Sequence, residues 1–156
     1  MAEIILVIDD DPAMLDSLKQ RLIPEGFTVS TTASSEDCIN QAIIHRPDLI
    51  LLDLRMPVRD GITVCKMLRA NPKTQHIPII VITGVLLPSQ LEEARAYGAD
   101  DVALKPIDPS DLLIRIRAML ACRAIEEPAE RSARYHEITH EAASSSSRLH
   151  PPASKE

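Results

Sequence analysis

The sequence predicts an α/β protein: a doubly wound, five-stranded parallel sheet with helices on both faces. Two observations carry that prediction. Short apolar runs alternate with helical patterns about five times along the chain, and such alternation implies a parallel sheet. The runs are also nearly continuous in Ile, Val and Leu, as strands covered on both faces should be. Right-handed crossovers then place helices on both sides of the sheet.

The elements read in order. The first strand, Ile4–Ile8, ends in Asp9, Asp10, Asp11 and Pro12. Asp11 reads as a helix N-cap with Pro12 at the first helical position. Met14, Leu15, Leu18 and Leu22 then repeat at helical spacing. Gly26 stands where a left-handed residue is wanted after a helix, and a weaker strand comes next at 27–30. The third strand, Leu49–Leu52, lies within "PDLILLDLRMP", and the fourth, 79–82, within "IIVITG". Ser89 with Glu92 three residues on reads as a capping box, and Gly98 as the end of that helix. A fifth, weaker strand at 102–104 precedes Asp108-Pro109, a second N-cap with proline. Leu112, Ile116, Met119 and Leu120 carry the last core-facing helix.

Composition sets the bounds. The chain has 156 residues, enough for one domain and an appendage. Its core must be aliphatic, because there are one Phe, two Tyr and no Trp within a 45% apolar composition. A net charge of -6 argues against nucleic acid as a direct partner. Cys38, Cys65 and Cys122 are scattered and lack CxxC or His pairing, which reads as reduced thiols in a cytoplasmic protein. No apolar run approaches the roughly 18 residues of a membrane span. Residues 1–123 form the expected domain. Residues 124–142 read as an acidic, partly helical extension or connector, with Tyr135, Ile138 and Ala142 as a thin apolar stripe. Residues 143–156, rich in Ser and Pro, read as a disordered tail.

Ligands gather at the carboxyl ends of strands in an open parallel sheet. Asp9 and Asp10 end the first strand and Asp53 the third; Thr83 ends the fourth and Lys105 the fifth. A strand-ending Asp is ordinarily a turn residue, a lone Thr a strand former and a lone Lys a surface residue. Together they suit phosphoryl transfer to a carboxylate. Three acids on one edge are tolerable if a divalent cation neutralises them, and all-oxygen ligands with room for water favour Mg²⁺. The metal and the lysine would neutralise an incoming phosphoryl group. A carboxylate can be its acceptor.

With "ILVIDDDP", "DLILLDLRMPVRDG", "IPIIVITG" and "GADDVALKPID" in this order, residues 3–123 resemble a bacterial response-regulator receiver domain. The resemblance implies the flavodoxin/CheY-like strand order 2-1-3-4-5. It implies Asp53 as phospho-acceptor and a Mg²⁺ site of Asp9, Asp10, Asp53 and the Arg55 backbone carbonyl. In that site Asp10 is the more direct ligand and Asp9 acts partly through water. Thr83 and Lys105 would bind phosphoryl oxygens, and the Lys105-Pro106 bond would be cis. Met56, Pro57 and Pro106 would shape the pocket, with Asp60 and Gly61 starting the third helix. The donor would be a sensor histidine kinase or a histidine phosphotransfer protein, and the output an unidentified protein or domain. Homodimerisation on phosphorylation is a further expectation, whereas catalysis beyond the domain's own phosphorylation and dephosphorylation is not.

The sequence departs from the family's pattern at the switch. An aromatic residue commonly partners Thr83; here Val102 stands in its place, and Ile107 replaces a frequent Phe. Output should then rely on the "TGVLLPS" loop and the fourth helix. Arg55 and Val85 imply slow self-dephosphorylation. Other readings fit less well. A DxD phosphatase lacks its second acid because position 55 is Arg, and no Gly-rich loop succeeds the first strand. His136 beside Glu137 faintly resembles a kinase histidine box, but with His140 it reads as a polar helix face. The segment after residue 123 is too short, acidic and polar for a helix-turn-helix. Two kinds of output suit such a chain: a stand-alone receiver, or the input part of a longer signalling enzyme such as a cyclic-dinucleotide enzyme or hybrid kinase.

Overall fold

The apolar runs form strands because each of their faces meets its own core. In a computed structural model, which describes residues 2–55, 60–84 and 88–148, five parallel strands stand in the order β2-β1-β3-β4-β5. They are β1 (Ile4–Ile8), β2 (Thr28–Thr32), β3 (Leu49–Leu52), β4 (Ile79–Thr83) and β5 (Asp101–Leu104). The helices are α1 (Pro12–Leu22), α2 (Cys38–His45), α3 (Gly61–Ala70), α4 (Pro88–Ala96), α5 (Pro109–Ala121) and α6 (Pro128–Arg148). The fold class and strand order are those expected.

Alternate strand residues divide between two cores. Ile5, Val7, Leu49, Leu51, Ile80 and Ile82 pack with Leu18 and Leu22 of α1 and with Leu112, Ile116 and Met119 of α5. Leu6, Ile8, Ile50, Leu52, Ile79 and Val81 pack with Ala42 of α2, with Val64 and Leu68 of α3 and with Ala94 of α4. Each fully buried aliphatic side chain stabilises the fold by about 1.5–3 kcal/mol. The three cysteines are buried and form no disulfide, and burial pushes the Cys65 thiol up to about 12.

The helix starts sit on their acids. Asp11 accepts from Ala13 N at 3.0 Å, Asp60 from Thr63 N at 2.8 Å and Asp108 from Ser110 N at 3.1 Å. Gly26 and Gly98 take left-handed φ values of 96° and 103°. β4 and β5 each run one residue longer than expected, and larger differences fall elsewhere. β2 starts at Thr28 because Phe27 turns into the α1–α5 core. α4 starts at Pro88, so Ser89 lies inside the helix instead of capping it. Residues 143–148, expected to be disordered, continue α6. Serine tolerates a helix, and Ser145 returns its hydroxyl to the Glu141 carbonyl at 3.0 Å. Residues 149–156 lie outside the described residues.

The extension is also more than a thin stripe. Tyr135 is buried in the α1–α5 core and Ile138 packs against it, whereas Ala142 is exposed. The exposed His136 and His140 join no cluster of three metal-capable groups among the described residues.

Candidate functional site

The sheet delivers its strand-end polar residues to one edge. Asp9 N donates to the Thr32 carbonyl, Asp53 N to the Ile8 carbonyl and Lys105 N to the Thr83 carbonyl. Each residue is thus anchored by its backbone while its side chain leaves the sheet. Carboxylate oxygens of Asp9, Asp10 and Asp53 lie within 4.8 Å of one another. Lys105 Nζ bridges two of them, at 2.9 Å from Asp9 Oδ2 and 3.5 Å from Asp53 Oδ2.

The acids divide by role. Asp9 and Asp53 are buried, while Asp10 is exposed. Asp9 Oδ1 accepts from Asp11 N at 2.9 Å, and Asp53 Oδ1 from Arg55 N at 3.2 Å. Asp11 turns away to cap α1. The three clustered carboxylates carry three negative charges against one ammonium, which leaves an excess for a cation to meet. Their donor set is all oxygen and one member is open to solvent, so these residues fit Mg²⁺ with its retained waters.

Burial pushes the Asp53 carboxyl up, with the Asp9 charge adding to it; the Arg55 amide and Lys105 oppose this without cancelling it. Burial alone would lower Lys105, but its contacts with Asp9 and Asp53 outweigh that and raise it. Because the fold raises this pKa above its unfolded value, ionised Asp53 costs stability as pH rises through the folded-state value. Asp53→Asn should therefore raise the melting temperature of the metal-free protein at neutral pH. The gain should vanish below the ordinary carboxyl range, where both proteins are uncharged at this position. Calorimetry across pH checks this, and a stability loss at neutral pH would contradict it.

The backbone of Asp53 is seated on Gly61. A Cβ there would lie 2.5 Å from the Asp53 carbonyl oxygen and 2.6 Å from Leu54 Cα, so no side chain fits. Thr83 is fully buried at the end of β4, and its β5 register partner Leu104 immediately precedes Lys105. The Lys105-Pro106 bond is cis, as expected. Val102 is half-buried against the α2–α4 core, and Ile107 packs on the other. Met56, Pro57 and Val85 lie outside the described residues.

A doubly wound sheet with clustered carboxylates and one lysine at its strand ends defines the class of protein. The chain belongs to the response regulator receiver domain family, whose sequence model matches residues 5–117. It is 38% identical over 130 residues to the DNA-binding response regulator MtrA of Mycolicibacterium smegmatis, covering 83% of this chain and 55% of that protein. It is 37% identical over 134 residues to the response regulator PleD of Caulobacter vibrioides, covering 85% of this chain and 30% of PleD. The chain thus spans about half or less of these curated relatives. Among solved structures it resembles a CheY-like receiver domain protein from Methanospirillum hungatei, with a TM-score of 0.76 and 28% identity over 81% of this chain and all of that one. Vibrio cholerae CheY4 gives a TM-score of 0.71 and 27% identity over 75% of this chain and 98% of that one. Among the described residues, no helix is long and apolar enough to cross a membrane.

Asp100, Asp101, Arg131 and Tyr135 form a group that the sequence does not announce. The available signal is the pair of acids in "GADD" and an Arg–Tyr pair at i,i+4 in "RSARY".

Proposed function

We propose that this domain accepts a phosphoryl group on Asp53 in a Mg²⁺-dependent reaction and thereby switches a partner-binding surface. The observation that carries this reading is the cluster of three carboxylates within 4.8 Å, bridged by Lys105. The donor is a sensor histidine kinase or a histidine phosphotransfer protein. Asp53 attacks phosphorus, forming an O–P bond as the P–N bond to the donor histidine breaks. Lys105 and Thr83 bind phosphoryl oxygens and hold the group in line with the acceptor. Asp9, Asp10, Asp53 and the Arg55 carbonyl would hold Mg²⁺, which supplies charge neutralisation for the transferring group. Thr83 and Val102 are the switch positions. In this reading residues 1–123 are the receiver unit and α6 is its connector.

Intact mass spectrometry after incubation with acetyl phosphate tests this. We expect one phosphoadduct with Mg²⁺, none with EDTA and none in Asp53→Ala. An adduct that persists in Asp53→Ala would overturn the assignment. The part-length match to MtrA and PleD favours a second reading, in which the domain is the input of a longer signalling protein. The output then belongs to a separate domain, and α6 leads toward it.

A further inference from the structure

A second cluster of buried charge lies at the opposite end of β5 from the phosphoryl pocket. Arg131 of α6 is fully buried and grips the Asp100 carboxylate through Nε at 2.8 Å and Nη2 at 3.1 Å. Arg69 of α3 holds the same carboxylate at 3.0 Å. Ser132 donates its hydroxyl to the Asp100 carbonyl at 2.9 Å. One turn further along α6, buried Tyr135 donates its hydroxyl to Asp101 Oδ2, which Arg115 of α5 also binds at 2.6 Å. Burial, with Asp101 beside it, pushes the Tyr135 hydroxyl up, so it stays a donor.

These α6 contacts converge on two consecutive residues at the start of β5. That strand has four residues, and Lys105 comes directly after it. Among the described residues it is an edge strand, paired with β4 alone. A short edge strand held by α6 at one end and by the pocket's ammonium at the other is a direct mechanical link between them. The register that satisfies α6 has Lys105 on Asp9 and Asp53. A phosphoryl group on Asp53 would place a new anion between that carboxyl and Lys105 and shift the end of β5. Well-packed elements answer such shifts by changing between discrete arrangements. Past Ile138, α6 leaves Ala142 and Ala143 exposed. The contacts that anchor the helix thus come from its first half.

We propose that α6 is an output latch: its hold on Asp100 and Asp101 loosens when Asp53 is loaded, with β5 as the connecting element. This rests on the phosphoacceptor reading of the pocket. The test is amide hydrogen exchange on the full chain with Mg²⁺ alone and with Mg²⁺ plus beryllofluoride, with ¹⁹F NMR reporting the bound fluoride. Peptides over 128–139 should exchange at least about five-fold faster on loading, while β3 peptides stay unchanged. Coupling is reciprocal, so loosening α6 must tighten loading by the factor with which loading loosens α6. Tyr135→Phe keeps the ring in the core and removes the bond to Asp101, so it should bind beryllofluoride several-fold more tightly. A bound ¹⁹F signal with unchanged α6 exchange, and unchanged affinity in Tyr135→Phe, would reject the latch and leave the site intact. No bound ¹⁹F signal would reject both.

Discussion

Asp100→Ala is expected to cost about 3–5 kcal/mol in urea unfolding, because it strips the shared partner from two arginines in the interior. Arg131 is fully buried and the Arg69 side chain is 13% exposed. Both would keep their carbonyl acceptors, at His76 and Ile125 for Arg131 and at Gly98, Gln75 and Ile77 for Arg69. Neither would keep a counter-charge at that point. Asp100 Oδ2 also accepts from Ile79 N at 2.8 Å, so the substitution frees a donor at the start of β4. Loss of an exposed cap is the useful comparison: Asp11→Ala should cost only about 1 kcal/mol. Equal losses for the two variants would show that the buried cluster is not what fixes the β5 end of the fold.

Lys105→Ala is expected to slow phosphoadduct formation about 10²–10³-fold, the loss typical when one donor to a transition-state anion is removed. The substitution also withdraws the ammonium that separates Asp9 from Asp53, so two buried carboxylates face each other unrelieved. That second effect should appear as a modest stability loss that Mg²⁺ restores. Lys105→Arg keeps the charge and should recover part of the rate. Initial rates with acetyl phosphate at saturating Mg²⁺ separate these effects. An unchanged rate in Lys105→Ala would make the residue a structural counter-ion only.

The sheet and the pocket are legible in the sequence because they depend on local signals. Continuous Ile, Leu and Val runs mark doubly covered strands, and Asp-Pro pairs mark helix starts. A parallel sheet then sends Asp9, Asp53, Thr83 and Lys105 to a common edge whatever the loops do. The rest depends on partners distant in sequence. Arg131 and Asp100 are 31 residues apart, and nothing in "ERSARYHEI" distinguishes a buried arginine from a solvated one. A charged helix with one tyrosine and one isoleucine reads as a connector, because long charged side chains are rarely buried without a partner. The partner sits in "GADD", whose acids look like part of a turn. Ser89 misleads for a local reason: Pro88 already supplies the first helical position, which moves the start of α4 ahead of the serine. Val102 packs against the α2–α4 core as a strand valine should. Tyr135 lies in the other core, where its hydroxyl reaches Asp101.

Chemical trapping reads out which carboxylate is the acceptor. An acyl phosphate is reduced by borohydride to an alcohol, so phosphorylated Asp53 becomes homoserine, and peptide mass spectrometry reads the position. After treatment with acetyl phosphate and Mg²⁺, homoserine should appear at position 53, with Asp9 and Asp10 unconverted. Homoserine at Asp9 or Asp10, or a phosphoadduct that borohydride leaves intact, would contradict the assignment of Asp53.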